Sequence, residues 1–269
     1  MSSAPGGGEL GRAAASPARA PLRVPLAPIA PGERVLPPEA ASYVVRVHRL
    51  RESARFVVFD PERGVEADAV LVSVDRHDVT ARIGEPRAAS HCPRRRVTLI
   101  QGVGKGDKMD AVVRDATELG ATRIVPLIAA RSVARPAPER CDRWRRIAVE
   151  AARQCGRGDA PRIDPPAALA AALAAVAAGL DGGAGAAPIG LCLDPRAESP
   201  LGARLRDLAE GAEVAFVVGP EGGLTDDELD ACVAAGFARA RLGRLTLRTE
   251  TVCAAVLGAL LALSDDGDA

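Results

Sequence analysis

The chain has 269 residues, 35 basic and 35 acidic side chains, 48% hydrophobic residues and only 2% aromatics. That length suits one large domain or two ordinary ones, with any core built from Ala, Val, Leu and Ile. The charge balance neither predicts nor excludes an anionic partner, and six scattered cysteines without a CxxC pair argue against zinc or disulfides and for reduced thiols in cytoplasm.

Residues 1–21 are rich in Gly, Ala, Ser and Pro with no continuous apolar run. They lack the core of a secretory signal and predict a disordered extension. From Leu22 to about His91 the texture is β-branched and turn-punctuated: YVVRVHRL, ARFVVFDPERG, ADAVLVSVD, DVTARIGEP. Short runs of this kind predict a small β-barrel or sandwich. All three histidines (His48, His77, His91) fall here, too dispersed to form a site. A boundary is expected near HCPRRRV.

From Val97 strand and helix alternate. VTLIQG (97–102) predicts a strand. In DKMDAVVRDATELG, Met109, Val112, Val113, Ala116 and Leu119 share one helical stripe, with Gly120 as the stop. TRIVPLI reads as a strand, and ERCDRWRRIAVEAARQCG as a helix closing at Gly156. A short strand at Arg162–Ile163 and a helix around Leu169, Leu173 and Val176 follow. PIGLCL, EVAFVVG and ARARL are strands; LGARLRDLAE, TDDELDACVAAG and the apolar stretch from about Glu250 are helices. Such repetition predicts a parallel sheet covered on both faces, with ligands beyond the carboxyl ends of its strands. The longest apolar runs are too short or too alanine-rich to cross a bilayer, so no membrane partner is expected.

Three glycine-bearing stretches follow strands. GVGKGDKM (102–109) holds the only two lysines of the chain, Lys105 and Lys108. Asp107 stands where a P-loop needs glycine, and GxGxxG is missing as well, so a flexible strand-to-helix turn fits as readily as a site. In FVVGPEGGLTDDEL, Thr225 and Glu228 predict a capping box for the next helix. A turn needs one glycine; Gly219, Gly222 and Gly223 together point to main-chain groups that approach a ligand. In LGRLTLRTET, Thr249, Glu250 and Thr251 suit a helix start whether or not they bind anything. Arg248 does not, because a cation is unfavourable beside the positive helix end. It needs a partner, either Glu250 or an anionic substrate.

Residues 131–162 carry nine arginines against Glu139, Asp142, Glu150 and Asp159. Arg143, Arg146, Arg153 and Arg157 are spaced to share one helical face opposite Trp144, Ala148 and Cys155. That face is either solvated or an electrostatic footprint for phosphates.

GVGKGDKMDAVVRDATELG, EAARQCGR, VVGPEGGLTDDEL and LGRLTLRTET stand here in the order and spacing of the RsmE-type methyltransferases, which the chain resembles over about residues 22–264. The resemblance implies methylation of N3 of one uridine in the 16S RNA of the small ribosomal subunit, with S-adenosylmethionine as cofactor and no metal. It implies a PUA-like β-barrel RNA-binding domain at 22–92 and an α/β trefoil-knotted SPOUT methyltransferase domain at 95–269, where periodicity alone gives a doubly wound sheet. A homodimer is implied too. Leu193, Val218, Gly219, Pro220, Glu221, Gly222, Gly223, Leu242, Gly243 and Leu247 would cradle the cofactor. Arg248 would clamp the anionic uracil, and Glu221 or Glu250 would accept its proton. Lys108 and Arg49 match positions expected to face RNA, whereas Lys105 falls on a variable one. The barrel departs from the family pattern at Val24-Pro25 after Arg23, at Ser53 in place of a turn glycine, and at Pro61. Rival readings are a SPOUT enzyme acting on tRNA and a non-catalytic ribosome-assembly factor.

Overall fold

The computed structural model describes residues 21–264 except 77, 134–135, 179–187 and 210. The expected extension up to residue 20, and His77, lie outside the described residues. The first part of the chain is one six-stranded sheet: β1 (Arg23–Pro25), β2 (Gly32–Val35), β3 (Arg55–Asp60), β4 (Val65–Val74), β5 (Val79–Ile83) and β6 (Arg87–Ala88). The order is β1-β3-β4-β5-β2 with β6 beside β4, and only the β1–β3 pair is parallel. The run RFVVFD is buried from Phe56 to Asp60, so β3 reads apolar nearly throughout. Val24, Phe56, Val58, Ala69, Leu71 and Ile83 form its core with Leu36 and Val44.

The strand expected over YVVRVHRL is not there. Helix α1 (Pro38–Ser42) runs into a π-helical turn, Tyr43–Val47. Pro38 in the first turn suits a helix start, and Ala40 and Val44 supply a buried side. Packing of that side outweighs the β preference of the valines. The His48 N–H closes the turn on the Tyr43 carbonyl at 3.1 Å. Ser53 adopts φ 68°, the left-handed conformation that explains why a glycine suits this position.

The second part alternates as predicted: β7 (Val97–Gly102), α2 (Lys108–Glu118), β8 (Arg123–Ile128), α3 (Pro138–Cys155), β9 (Arg162–Ile163), β10 (Ala167–Ala168), α4 (Leu169–Ala177), β11 (Ile189–Leu193), α5 (Leu201–Arg206), β12 (Val214–Val218), α6 (Asp226–Ala234), β13 (Ala238–Ala240) and α7 (Thr249–Ser264). All pairs are parallel, in the order β10-β8-β7-β12-β11-β13 with β9 on β8. A doubly wound sheet of flavodoxin type would set β11 beside β7; here β12 takes that place.

Strand periodicity then sorts the core into two faces. Leu99, Leu191 and Phe216 pack under α2, α3, α5 and α7 with Val113, Trp144, Leu205 and Leu257. Ile100, Cys192 and Val217 pack under α4 and α6 with Leu173 and Leu229. Gly120 at φ 87° and Gly156 at φ 85° end α2 and α3 as expected.

The two sheets meet where α3 packs on β1 and the chain after α3 crosses the first sheet. The Gly158 N–H donates to the His91 carbonyl at 2.7 Å, and Ala160 N–H to Pro61 at 2.8 Å. Among the described residues all six cysteines are free. Cys155 is exposed, contrary to its expected place on the apolar side of α3. No helix among the described residues is long and apolar enough to cross a membrane.

Candidate active site

The chain segments that leave β11, β12 and β13 converge on one cavity of about 650 Å³, at the carboxyl ends of the strands. Its size falls within the usual range for small-molecule sites. Apolar Leu193, Val218, Leu242, Leu247 and Val252 share the wall with the main chain of Gly219 to Leu224.

The GPEGG bend is held from several sides. The Gly223 N–H donates to Pro220 O at 2.8 Å, with Gly223 at φ 70°. Behind it, Thr225 and Glu228 make the predicted capping box. Arg131, from the loop after β8, donates through Nη1 to the carbonyls of Gly222 at 3.0 Å and Leu224 at 3.4 Å. Gly102, at the end of β7, lies so close that a Cβ would sit 2.2 Å from Pro220 N. That approach is what requires glycine at the head of GVGKGDKM.

A buried polar relay joins this bend to the next one. The Thr249 hydroxyl donates to Gly219 O at 2.7 Å and accepts from Gln101 Nε2 at 2.8 Å; that amide also donates to Gly102 O at 3.2 Å. Gln101 is fully buried and Thr249 nearly so. The relay ties the end of β7, the end of β12 and the start of α7. Sequence reasoning missed Gln101, although a lone amide in VTLIQG was a legible signal.

Among the described residues every charge on the wall is engaged by an opposite charge or, for Arg131, by main-chain carbonyls, with one exception. Asp194, buried at the end of β11, accepts from Arg239 and from Arg196. Burial opposes its ionisation, but these arginines and the Arg196 N–H hold its carboxyl below the usual range. Arg196 also pairs with Asp226 at 2.6 Å. Lys108 lies 3.0 Å from Glu221 and 3.8 Å from Glu250. For Glu221, burial again opposes charge, and its own N–H, the Lys108 ammonium and the Lys105 N–H (3.1 Å) more than offset it. Arg248 is exposed on the wall and, among the described residues, has neither an ion pair nor a side-chain hydrogen bond. Its expected partner Glu250 turns to Lys108 instead, and the Glu250 Oε2 atom is buried without a hydrogen bond.

The cofactor residues expected from the sequence all line this cavity except Gly243, whose φ of 71° turns the chain just before it. Glu221 is on the wall; Glu250 is not among the lining residues. Arg131, Asp194 and Arg196 were not anticipated.

The basic helix face needs correction. Arg157 lies beyond the end of α3 and is buried, donating to the carbonyls of Thr117 (2.9 Å) and Ala121 (2.8 Å) and pairing with Asp159 at 2.6 Å. It is a bracket inside the protein and out of reach of a phosphate. The Arg153 side chain, 15% exposed, bonds Glu150 and lies over the Tyr43 ring at 3.9 Å. Arg143 is drawn onto Asp110 at 2.6 Å, leaving Arg146 as the one of the four that is exposed and without an ion pair among the described residues. Lys108 is likewise held by two carboxylates rather than presented as a free cation for RNA. Arg49 is exposed at φ 54°, just past the π-helical turn.

Comparison with known proteins agrees with this geometry. A family model described as an RNA methyltransferase domain matches residues 91–261, and one described as an RNA methyltransferase PUA domain matches 36–84. Similar curated relatives are the ribosomal RNA small subunit methyltransferases E of Synechocystis sp. and Mycobacterium bovis. The first is 32% identical over 82% of this chain and 70% of its own, the second 34% identical over 84% and 85%. The crystal structure of a ribosomal RNA small subunit methyltransferase E from Neisseria gonorrhoeae bound to S-adenosyl methionine matches with a TM-score of 0.78. It is 30% identical, over 90% of this chain and 97% of that one.

Proposed function

This chain belongs to the RNA methyltransferase family, in the branch of the ribosomal RNA small subunit methyltransferases E, and on that premise we propose that it methylates N3 of a uridine in 16S RNA. The observation that carries this reading is the unpaired Arg248 beside a cavity in which every other charge is engaged.

The cavity fits S-adenosylmethionine by its donor set: apolar walls for a nucleoside, main-chain groups from 218–224 and 242–247, and no cluster of free cations that would select a phosphate. Leu193, Val218, Leu242 and Leu247 would hold its adenosine. When bound, the cofactor supplies an electrophilic methyl group. The work left to the protein is placement and charge, since donor and acceptor must lie in line.

Uridine N3 becomes a nucleophile only on losing its proton. Arg248 stabilises the resulting anion at O2 or O4, and it stands ready because no carboxylate neutralises it. Of the two acceptors considered for that proton, Glu221 is on the wall, while Glu250 is not and faces Lys108 at 3.8 Å. The depressed proton affinity of Glu221 makes it a weak base, so the step leans on Arg248.

We divide the chain into a barrel of residues 22–92 and a methyltransferase domain of 95–269, whose converging bends would be the trefoil knot. The protein would act in the cytoplasm as a homodimer. Support for pairing is Leu245, a large apolar side chain left 77% exposed beside the cavity.

The test is reaction of the full chain and S-adenosylmethionine with small subunits stripped of the mark, followed by nucleoside mapping. One new 3-methyluridine in 16S RNA is expected. Modification of tRNA instead, or of neither RNA, contradicts the reading.

A further inference from the structure

Residues 43–55 hold Arg46, Arg49, Arg51 and Arg55 against a single acid, Glu52. All four arginines are exposed, and among the described residues none has an ion pair or side-chain hydrogen bond. On strands β5 and β6, by contrast, Arg82 is paired with Glu33 at 2.6 Å and Arg87 with Asp68 at 3.0 Å, while Arg63 and Arg76 on the turns of this sheet are exposed singly. What sets residues 43–55 apart is density, with four such arginines within ten residues of chain.

The backbone under the cluster is unusual. The π-helical turn at Tyr43–Val47 is followed by two left-handed residues with side chains, Arg49 at φ 54° and Ser53 at φ 68°. Strain of this sort persists where surrounding structure enforces it and gathers at binding sites.

The turn also builds a stack. The exposed His48 ring meets Tyr43 edge-on, with centroids 4.5 Å apart at 66°. The Tyr43 ring in turn carries the Arg153 guanidinium at 3.9 Å. Arg153 comes from α3, so the stack is fixed from both halves of the chain and His48 is its most exposed member. Nearer its start, α3 reaches the rim of the cavity: Arg140 donates to Gly106 O at 3.2 Å, two residues ahead of Lys108. Arg140 and Arg153 are separated by about 20 Å along the helix.

We propose that His48 and Tyr43, backed by Arg153, form a stacking platform for an unpaired RNA base, with Arg46, Arg49 and Arg51 on the adjoining phosphates. The platform lies one helix away from the methyl-transfer cavity. An exposed ring among unpaired cations is what single-stranded RNA uses; an acidic peptide would use the cations and leave the ring idle. The inference rests on the reading of the substrate as RNA.

The test is fluorescence anisotropy of the full chain with a labelled single-stranded RNA, repeated across a salt series. His48→Ala should bind about 5- to 100-fold more weakly with an unchanged salt slope, because a stacked base releases no counterions. His48→Phe should recover wild-type affinity. Arg49→Ala should lower the slope by about 0.7. S-adenosylmethionine affinity should be the same in all three, which also verifies folding. Wild-type RNA affinity in His48→Ala overturns the platform and leaves the methyltransferase reading intact. If the wild type ignores RNA and binds polyglutamate, both are overturned.

Discussion

Thr249→Val tests whether the two bends of the cavity are held together by the buried relay. Valine matches threonine in shape but removes the hydroxyl that donates to Gly219 O at 2.7 Å and accepts from Gln101 Nε2 at 2.8 Å. The Gly219 carbonyl would lose its one side-chain donor among the described residues, and the Gln101 amide would keep only its 3.2 Å bond to Gly102 O. With Gln101 fully buried and Thr249 6% exposed, water cannot simply substitute. Leaving a buried polar group unsatisfied costs about 1–3 kcal/mol, so the pair amounts to about 2–6 kcal/mol. For a domain of this size that lowers the melting temperature by roughly 4–24 °C. Because the relay sets the distance between the GPEGG bend and the start of α7, S-adenosylmethionine affinity should fall at least about fivefold. Thr249→Ser keeps the hydroxyl and should lose little of either. Scanning calorimetry and titration calorimetry read the two quantities. A valine variant that melts with the wild type and binds the cofactor equally well would refute the relay.

Other expectations follow from the packing and the charges. Gly102→Ala pushes a methyl group into Pro220 N and Gly219 C, at 2.2 and 2.6 Å, which are backbone atoms that cannot step aside. A loss of about 1–3 kcal/mol in urea unfolding, with weakened cofactor binding, is expected. Arg157→Ala should destabilise the fold by about 3 kcal/mol yet leave the salt slope of RNA binding unchanged, since its guanidinium brackets two carbonyls and Asp159. Burial opposes charge on Glu66, but Arg23, Ser90 and Arg87 hold its carboxyl below the ordinary 4.5. A group depressed in this way stabilises the native state above its unfolded pKa and loses that contribution as pH falls through the folded one. Urea midpoints should therefore drop as pH falls below the ordinary 4.5, and Glu66→Gln should flatten that segment.

Where the sequence was legible, one local force was acting alone. The apolar stripe of α2, the αL glycines after α2 and α3, and the Thr225–Glu228 cap depend on nearest turns, and each formed as read. The helical turn at Tyr43–Val47 was hidden because a valine run favours a strand until Val44 finds a core to enter. The position of β12 between β7 and β11 carries no local signature at all. In the site, glycines announced the bends, and Arg248 stood out because a cation before a helix needs a reason. The fate of the other arginines depended on distant acids and carbonyls. Arg157 on Thr117 O and Arg143 on Asp110 are separated in sequence by 40 and 33 residues, beyond any helical-face argument.

The most direct measurement is the pair of constants for Arg248→Ala: cofactor affinity by calorimetry, and turnover on stripped small subunits. A side chain that meets only the uracil anion should leave S-adenosylmethionine binding as in the wild type and lower kcat by about 100-fold or more. Unchanged turnover, or a collapse of cofactor affinity with kcat preserved, would contradict the account.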